Sequence, residues 1–280
     1  MAEECNHDCN SCGTTCSSDT RKMGDMFEAP NDLSNIRHAI AVVSGKGGVG
    51  KSLVTGLLSV EMSRKGRHVG VMDADITGPS IPKMFGVSGE IIGSQAGAFP
   101  VTSAGGIDIV SMNLFLENNT DPVVWRGPIL SGVVKQFWQD VIWNDVDYLF
   151  IDMPPGTGDV PLTVMQSIKL DGIVIVTSPQ ELVSMIVAKA VKMASAMKVP
   201  ILGLVENLSY FECPDCGKKH EIFGASHLEE IAKEYHLDIL GRIPIQPKLA
   251  AECDAGQIES VEDSYLQEAA DKLLELEKKA

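Results

Sequence analysis

From residue 36 onward the chain alternates short, continuous apolar runs with longer segments whose apolar residues recur every three or four positions. Continuous runs bounded by Gly, Asp or Pro suit strands buried on both faces, and the longer segments suit helices packed over them, which is the rhythm of repeated β-α units. Strands are expected at AIAVVS (39–44), HVGVMD (68–73), IDIVSM (107–112), YLFID (148–152), GIVIVT (172–177), ILGLVEN (201–207) and ILGRIP (239–244). Helices are expected after Lys51, Pro128, Val160, Glu181 and Ala225, and over residues 261–279. The last helix puts Leu266, Ala269, Ala270, Leu273 and Leu274 on one face. Its other face is mostly acidic and it has no Phe or Trp, so it reads as a stripe packed on the core and not as a membrane-surface helix. Residues 86–106, rich in Gly, Ser and Ala, read as an extended loop or hairpin. The expected fold is α/β, a doubly wound and mainly parallel sheet of about seven to eight strands flanked by helices.

Residues 1–35 show neither period, and their Cys, Ser, Asn and Asp content suits a metal-binding tail, followed by a linker over residues 17–34. The division is therefore a tail at 1–35 and one α/β domain at 36–280. The 38 acidic against 23 basic residues, a formal charge of -15, disfavour a nucleic-acid partner. No apolar run reaches the roughly 18 residues of a membrane span, and the first 30 residues lack the apolar stretch of a secretion signal. A cytoplasmic protein without a membrane partner is expected.

The stretch SGKGGVGKS (44–52) joins the strand AIAVV to an apolar helical pattern, so GxxxxGKS lies where a strand turns into a helix. Gly45, Gly47, Gly48 and Gly50, with Val49 among them, let the backbone amides wrap a triphosphate at the positive end of the helix. Lys51 is placed to reach the β and γ phosphates and Ser52 to ligate magnesium. A second lysine, Lys46, sits within the loop and cannot easily bend back to its own phosphates. It is either solvated or crosses a subunit boundary to neutralise charge on a partner's nucleotide. Two further strands end in carboxylates, Asp73 and Asp75 in DADITGPS and Asp152 in DMPPGTGD. Ligands of open α/β sheets bind outside the carboxyl ends of the strands, so these acids converge on the phosphates. Asp152 reads as holding magnesium through water, and Asp75 as bound to it through water while orienting the attacking water molecule. Asp73 and Asp159 suit structural capping. Gly156 and Gly158, after Pro154 and Pro155, read as a switch loop. Trp125, Arg126, Gly127 and Pro128 open a helix whose amino end faces either the nucleotide or a surface acid.

Seven cysteines fall in clusters that suit metal ligation in a reducing compartment. Cys213 and Cys216, in CPDCG after the 201–207 strand, supply half a zinc site or half a four-iron cluster. Completion comes from Cys253, from His220 or from a second chain. A zinc ribbon needs another CxxC, and none follows; a two-fold dimer supplies the missing pair. Cys5, Cys9, Cys12 and Cys16 give four thiolates in one short segment, enough for a whole cluster or a zinc site. Cys253 lies in a helical pattern and reads as a small buried residue.

Together SGKGGVGKS, DADITGPSIP, VVWRGP, DYLFIDMPPGTGD, TSPQ and ENLSYFECPDCG resemble the Mrp and Nbp-type P-loop ATPases, in that family's order and over nearly all of residues 36–258. The resemblance implies the deviant Walker A type of loop, with Lys46 as its signature lysine acting across a homodimer and Asn207 helping to recognise adenine. It further implies a labile 4Fe-4S cluster bridging two subunits through Cys213 and Cys216. Some Nbp-type relatives bind another cluster through four amino-terminal cysteines, spaced more widely than here. The implied function is ATP hydrolysis coupled to delivery of a cluster to apo iron-sulfur client proteins. The alternatives are a positioning ATPase like MinD or ParA, and an ATP-driven electron donor like the nitrogenase iron protein.

Overall fold

The computed structural model describes residues 27–116, 125, 127–179 and 183–278. Its strands are β1 (Asn35–Ser44), β2 (Val69–Asp73), β3 (Val101–Thr102), β4 (Asp108–Val110), β5 (Asp145–Asp152), β6 (Gly172–Thr177), β7 (Ile201–Asn207), β8 (Phe211–Glu212), β9 (Lys219–His220) and β10 (Ile239–Ile243). Its helices are α1 (Lys51–Arg64), α2 (Ile81–Met84), α3 (Gly127–Gln139), α4 (Asp159–Ser167), α5 (Val183–Met197), α6 (Leu228–Tyr235), α7 (Pro247–Asp254) and α8 (Gln267–Leu274). The main sheet runs β10-β7-β6-β1-β5-β2-β4-β3. Its pairings are parallel except at the edge, where β3 runs antiparallel to β4. The doubly wound parallel sheet is therefore present, and β8 and β9 form a separate hairpin that the apolar pattern does not announce.

The sheet is covered on both faces, which is why its central strands are continuously apolar. In β1, Ala39, Ala41 and Val43 join the core under α3, α4, α5 and α6, whereas Ile40 and Val42 join the core under α1, α2, α7 and α8. This alternation along one strand is the two-residue period of a pleated backbone. β1 begins earlier than the apolar run because Asn35 and Ile36 already pair with Asp145 and Val146 of β5.

Two longer segments also depart from expectation. The last helix is shorter than 261–279. Residues 261–266 are not helical, and the Tyr265 hydroxyl donates to the Asp263 carboxylate at 2.8 Å, so local turn chemistry delays the helix until Gln267. Its Leu266, Ala269, Ala270 and Leu273 are buried in the core, with Leu274 packed beside them. Within the segment expected as a linker, residues 28–34 are bonded to the domain. The Glu28 amide donates to the Ser167 carbonyl at 2.7 Å, Trp138 Nε1 donates to the Glu28 carbonyl at 2.8 Å, and Ser34 Oγ donates to the Val141 carbonyl at 3.1 Å.

Trp143 is fully buried, with its indole N–H donating to the Phe137 carbonyl at 3.1 Å. It lies against the backbone of β2, where a Cβ on Gly70 would stand 3.0 Å from its ring. Trp143→Ala removes both the packing and a satisfied donor, and should lower unfolding free energy by about 3–5 kcal/mol. Urea denaturation followed by circular dichroism will check this.

Candidate functional site

β1 ends at Ser44 and α1 begins at Lys51, so residues 45–50 turn the chain from strand to helix at the carboxyl edge of the sheet. The turn needs left-handed backbone at Gly48 and Gly50, each with φ near 80°. Gly50 is further constrained, because a Cβ there would lie 2.1 Å from Asn207 Nδ2. The Ser44 hydroxyl donates to the Lys46 carbonyl at 3.0 Å, and the Gly156 amide donates to the Ser44 carbonyl at 2.8 Å. The loops after β1 and β5 are thereby tied together. Between them lies a cavity of about 280 Å³ lined by Gly47, Gly48, Lys51, Ser52, Asp75 and Pro155 among others. Val49 is buried, and Gly45 and Lys46 are partly exposed.

Asp152, the last residue of β5, is fully buried under this cavity. Lys51 Nζ stands 2.7 Å from its Oδ1, Ser52 Oγ donates to Oδ2 at 2.6 Å, and Thr55 Oγ1 lies 2.7 Å from Oδ1. Thr55 follows Lys51 by one helical turn, a spacing through which the sequence could have revealed it. Asp73 lies beside Asp152 on the neighbouring strand, also fully buried. Burial, reinforced by the Asp152 charge, pushes its pKa well above the carboxylate range, while Lys51 and a 3.1 Å hydrogen bond from Ser111 oppose the rise. Asp73 also accepts the Asp75 amide at 3.2 Å, which sets the turn carrying Asp75 into the cavity wall. Asp75 is partly buried; this raises its pKa against the pull of Lys51.

A second cavity of about 510 Å³ shares Leu53, Ser80 and Met84 with the first and continues over Asn207, Pro247 and Cys253. Its mostly apolar wall suits a flat heterocycle beside a phosphate site. Ser80 and Met84 border the short helix α2, which the apolar pattern does not reveal because it is a single turn. Asn207 Nδ2 donates to the Val49 carbonyl at 2.9 Å, and its buried Oδ1 has no partner. Cys253 is buried, and burial pushes its thiol up to about 11, in keeping with a packing residue and not a thiolate ligand.

Cys213 and Cys216 lie apart from these cavities in sequence, in the turn of the β8–β9 hairpin. The Cys213 amide donates to the Lys218 carbonyl at 3.0 Å and the Gly217 amide to the Cys213 carbonyl at 2.8 Å. Hydrogen bonds from the Asp215 backbone, then from the backbone and side chain of Cys216, hold the Cys213 pKa below the ordinary thiol value. Cys216 is exposed. Among the described residues no three His, Cys, Asp or Glu side chains gather as a metal site, so the hairpin presents two thiols without His220 or Cys253. Cys5, Cys9, Cys12, Cys16 and Arg126 lie outside the described residues.

Comparison with known proteins agrees with this geometry. A family model described as NUBPL iron-transfer P-loop NTPase matches residues 35–279. A relative from Clostridium perfringens named iron-sulfur cluster carrier protein is 45% identical over 265 residues, covering 90% of this chain and 93% of the relative. A solved nucleotide-binding protein from Archaeoglobus fulgidus in complex with ADP is 44% identical, with TM-score 0.75 over 82% of this chain and 90% of that one. The MinD cell division protein of Aquifex aeolicus, 21% identical, shares the fold with TM-score 0.59 over 85% of this chain and 97% of its own.

The buried Asp73 carboxyl makes stability depend on pH. Its folded pKa is raised above the unfolded value near 4, so its contribution is complete at low pH and fades as pH rises toward the folded value. Asp73→Asn removes the ionisation, keeps an acceptor for the Asp75 amide and can donate its own amide hydrogen to Ser111 Oγ. Its thermal midpoint should exceed that of the parent at pH 8 by about 3 °C or more, with the gap narrowing toward pH 5. Scanning calorimetry across that range will check the slope.

Proposed function

Because the chain belongs to the NUBPL iron-transfer P-loop NTPase family, we propose that it is a homodimeric ATPase that carries a 4Fe-4S cluster to apo iron-sulfur proteins. The observation that carries this reading is the two-thiol half-site at Cys213 and Cys216, on a hairpin that follows directly from the strand bonded to the phosphate loop. Two copies related by a two-fold axis supply four thiolates. The lowered Cys213 pKa favours the thiolate that ligation needs. Cys5, Cys9, Cys12 and Cys16 supply a separate amino-terminal metal site in the 1–35 tail.

The adenine lies in the apolar cavity beside Asn207, and the triphosphate lies over the amides of residues 45–50. Lys51 leaves Asp152 for the β and γ phosphates. Ser52 and Asp152 present hard oxygen donors 2.6 Å apart, a set that suits Mg²⁺: Ser52 would ligate the ion, Asp152 and Asp75 would hold it through water, and it would supply positive charge against the phosphates. Asp75 orients a water whose oxygen attacks the γ phosphorus; the bond to the β-phosphate oxygen breaks, giving ADP and inorganic phosphate. Lys46 reaches the partner's nucleotide and stabilises charge on the transferring group. The cycle changes the dimer geometry, and with it the grip of four thiolates on the cargo. Among the described residues no helix is long and apolar enough to cross a membrane. A reducing cytoplasm is the compartment in which this chemistry works.

Anaerobically reconstituted protein should transfer iron and sulfide to an apo-ferredoxin and restore its absorption spectrum. A cluster that stays in place and reduces a partner instead sinks the carrier reading. Cys213→Ala with Cys216→Ala should lose the bridging iron and the iron-dependent dimer while keeping amino-terminal metal. Unchanged iron content would overturn the shared site.

Lys51→Ala should abolish nucleotide binding. Lys46→Ala should still bind ATP but hydrolyse it roughly a hundredfold more slowly. Phosphate release will separate the two effects, and full turnover in Lys46→Ala removes the role assigned to it across the dimer.

A further inference from the structure

Glu206 is the penultimate residue of β7, 1% exposed, between the apolar stretch of residues 201–205 and Asn207. Its carboxylate accepts two hydroxyl groups from opposite ends of the cysteine-bearing arm, residues 208–226. Ser209 Oγ donates to Oε2 at 2.6 Å and Ser226 Oγ donates to Oε1 at 2.7 Å. Arg242, beside Glu206 in register on β10, approaches with Nε at 3.8 Å while its Nη2 donates to Glu229 on α6. The arm's first foot is also pinned to the end of β10 and the segment after it, through the Ser209 amide to the Ile243 carbonyl at 3.0 Å and the Ile245 amide to the Tyr210 carbonyl at 2.7 Å. The second foot opens α6, where Ser226 Oγ accepts the Leu228 amide at 3.2 Å. One buried carboxylate thus closes the base of the arm that presents Cys213 and Cys216.

The next residue faces the phosphate loop. Successive side chains of a strand point to opposite faces, so Asn207 turns toward the phosphate loop and bonds the Val49 carbonyl at 2.9 Å. Leu208 follows with φ near 58°, left-handed backbone that is uncommon for a branched apolar residue, and it lines the second cavity together with Asn207. That reversal brings the Ser209 hydroxyl back against Glu206. Residues 206–209 therefore touch the nucleotide cavity on one side and both feet of the arm on the other.

We propose that Glu206 is a positioning residue that clamps Ser209 and Ser226, so that a shift of the β7 terminus on nucleotide binding moves the Cys213–Cys216 hairpin as a unit. The proposal rests on the cargo role proposed for those thiols. Removing the clamp leaves the nucleotide cavity intact but lets the arm move independently of it. A purely structural carboxylate would only hold α6 and β10 together, and its loss would lower stability without changing how the thiols respond to nucleotide.

The test uses the full, reduced, metal-free chain and peptide-resolved alkylation of Cys213 and Cys216, with no nucleotide, with ADP and with a non-hydrolysable ATP analogue. In the parent the alkylation rates should change by about fivefold on nucleotide binding, the low end of coupling between two sites. Ser209→Ala with Ser226→Ala should bind nucleotide within about twofold of the parent yet lose that response. Glu206→Gln should keep it, because a carboxamide accepts from one hydroxyl and donates to the other. A serine double variant that responds like the parent overturns the clamp. Hydrogen exchange on the parent gives an answer independent of any variant's folding. Nucleotide should alter amide protection in both the phosphate loop and residues 209–217, and a change confined to the loop also overturns the proposal. Failure of the thiols to bind a cluster would instead remove the carrier reading, since neither measurement requires metal.

Discussion

The carboxylate of Asp152 is the constraint around which the site is organised. It is held out of water at the end of β5, where an unpaired charge would cost several kcal/mol. Three side chains from the first turns of α1, those of Lys51, Ser52 and Thr55, converge on it within 2.7 Å. That convergence fixes how α1 enters the sheet, and the loop before it must complete its turn in residues 45–50. The left-handed glycines at 48 and 50 follow from the same geometry. Asp73 adds a second buried carboxyl beside the first, and its pKa is raised by burial first and by the neighbouring Asp152 charge second. On the proposed reading this cluster stays balanced when nucleotide arrives, because the cation that Lys51 withdraws from Asp152 is replaced by a metal ion.

β7 extends this constraint to the other end of the sheet. Asn207 is bonded to the phosphate loop and Glu206 to the arm that carries the thiols, so adjacent residues of one strand belong to different environments. A wide parallel sheet covered on both faces deforms little internally. Motion is easier where the backbone leaves it, and the chain leaves β7 through left-handed Leu208. The exposed hairpin, with strands of only two residues each, has little packing of its own to resist being moved.

Much of this was legible in the sequence. Buried strands announce themselves by unbroken apolar runs, and the phosphate loop by a glycine pattern between a strand and a helix; Lys51, Ser52 and Asp75 line one cavity, and Asp152 is paired with Lys51. The features that escaped are those without a periodic signal. One-turn α2 is too short to show a period, and the β8–β9 hairpin has strands too short to alternate. Thr55 needed the spacing from Lys51 to be followed inward from the loop. Glu206 carries no motif of its own, and nothing local shows that its partners lie on either side of a cysteine pair. The docking of residues 28–34 combines one backbone bond, from Glu28 to Ser167, with bonds from the Trp138 indole and the Ser34 hydroxyl to distant carbonyls, pairings over more than a hundred residues that no local pattern announces.

Ligand number has its own consequence for a carrier. A site closed by four thiolates from one chain holds its metal as part of the fold, because release would unfold the segment that binds it. The hairpin offers two thiols, and among the described residues no third ligand stands with them. On the proposed reading, retention of the cargo then depends on the relative position of two chains, a quantity that nucleotide at a dimer boundary can alter. Within the hairpin turn the Cys213 amide bonds to the Lys218 carbonyl and the Gly217 amide to the Cys213 carbonyl without any metal, so on that reading emptying the site does not put the fold of each chain at stake.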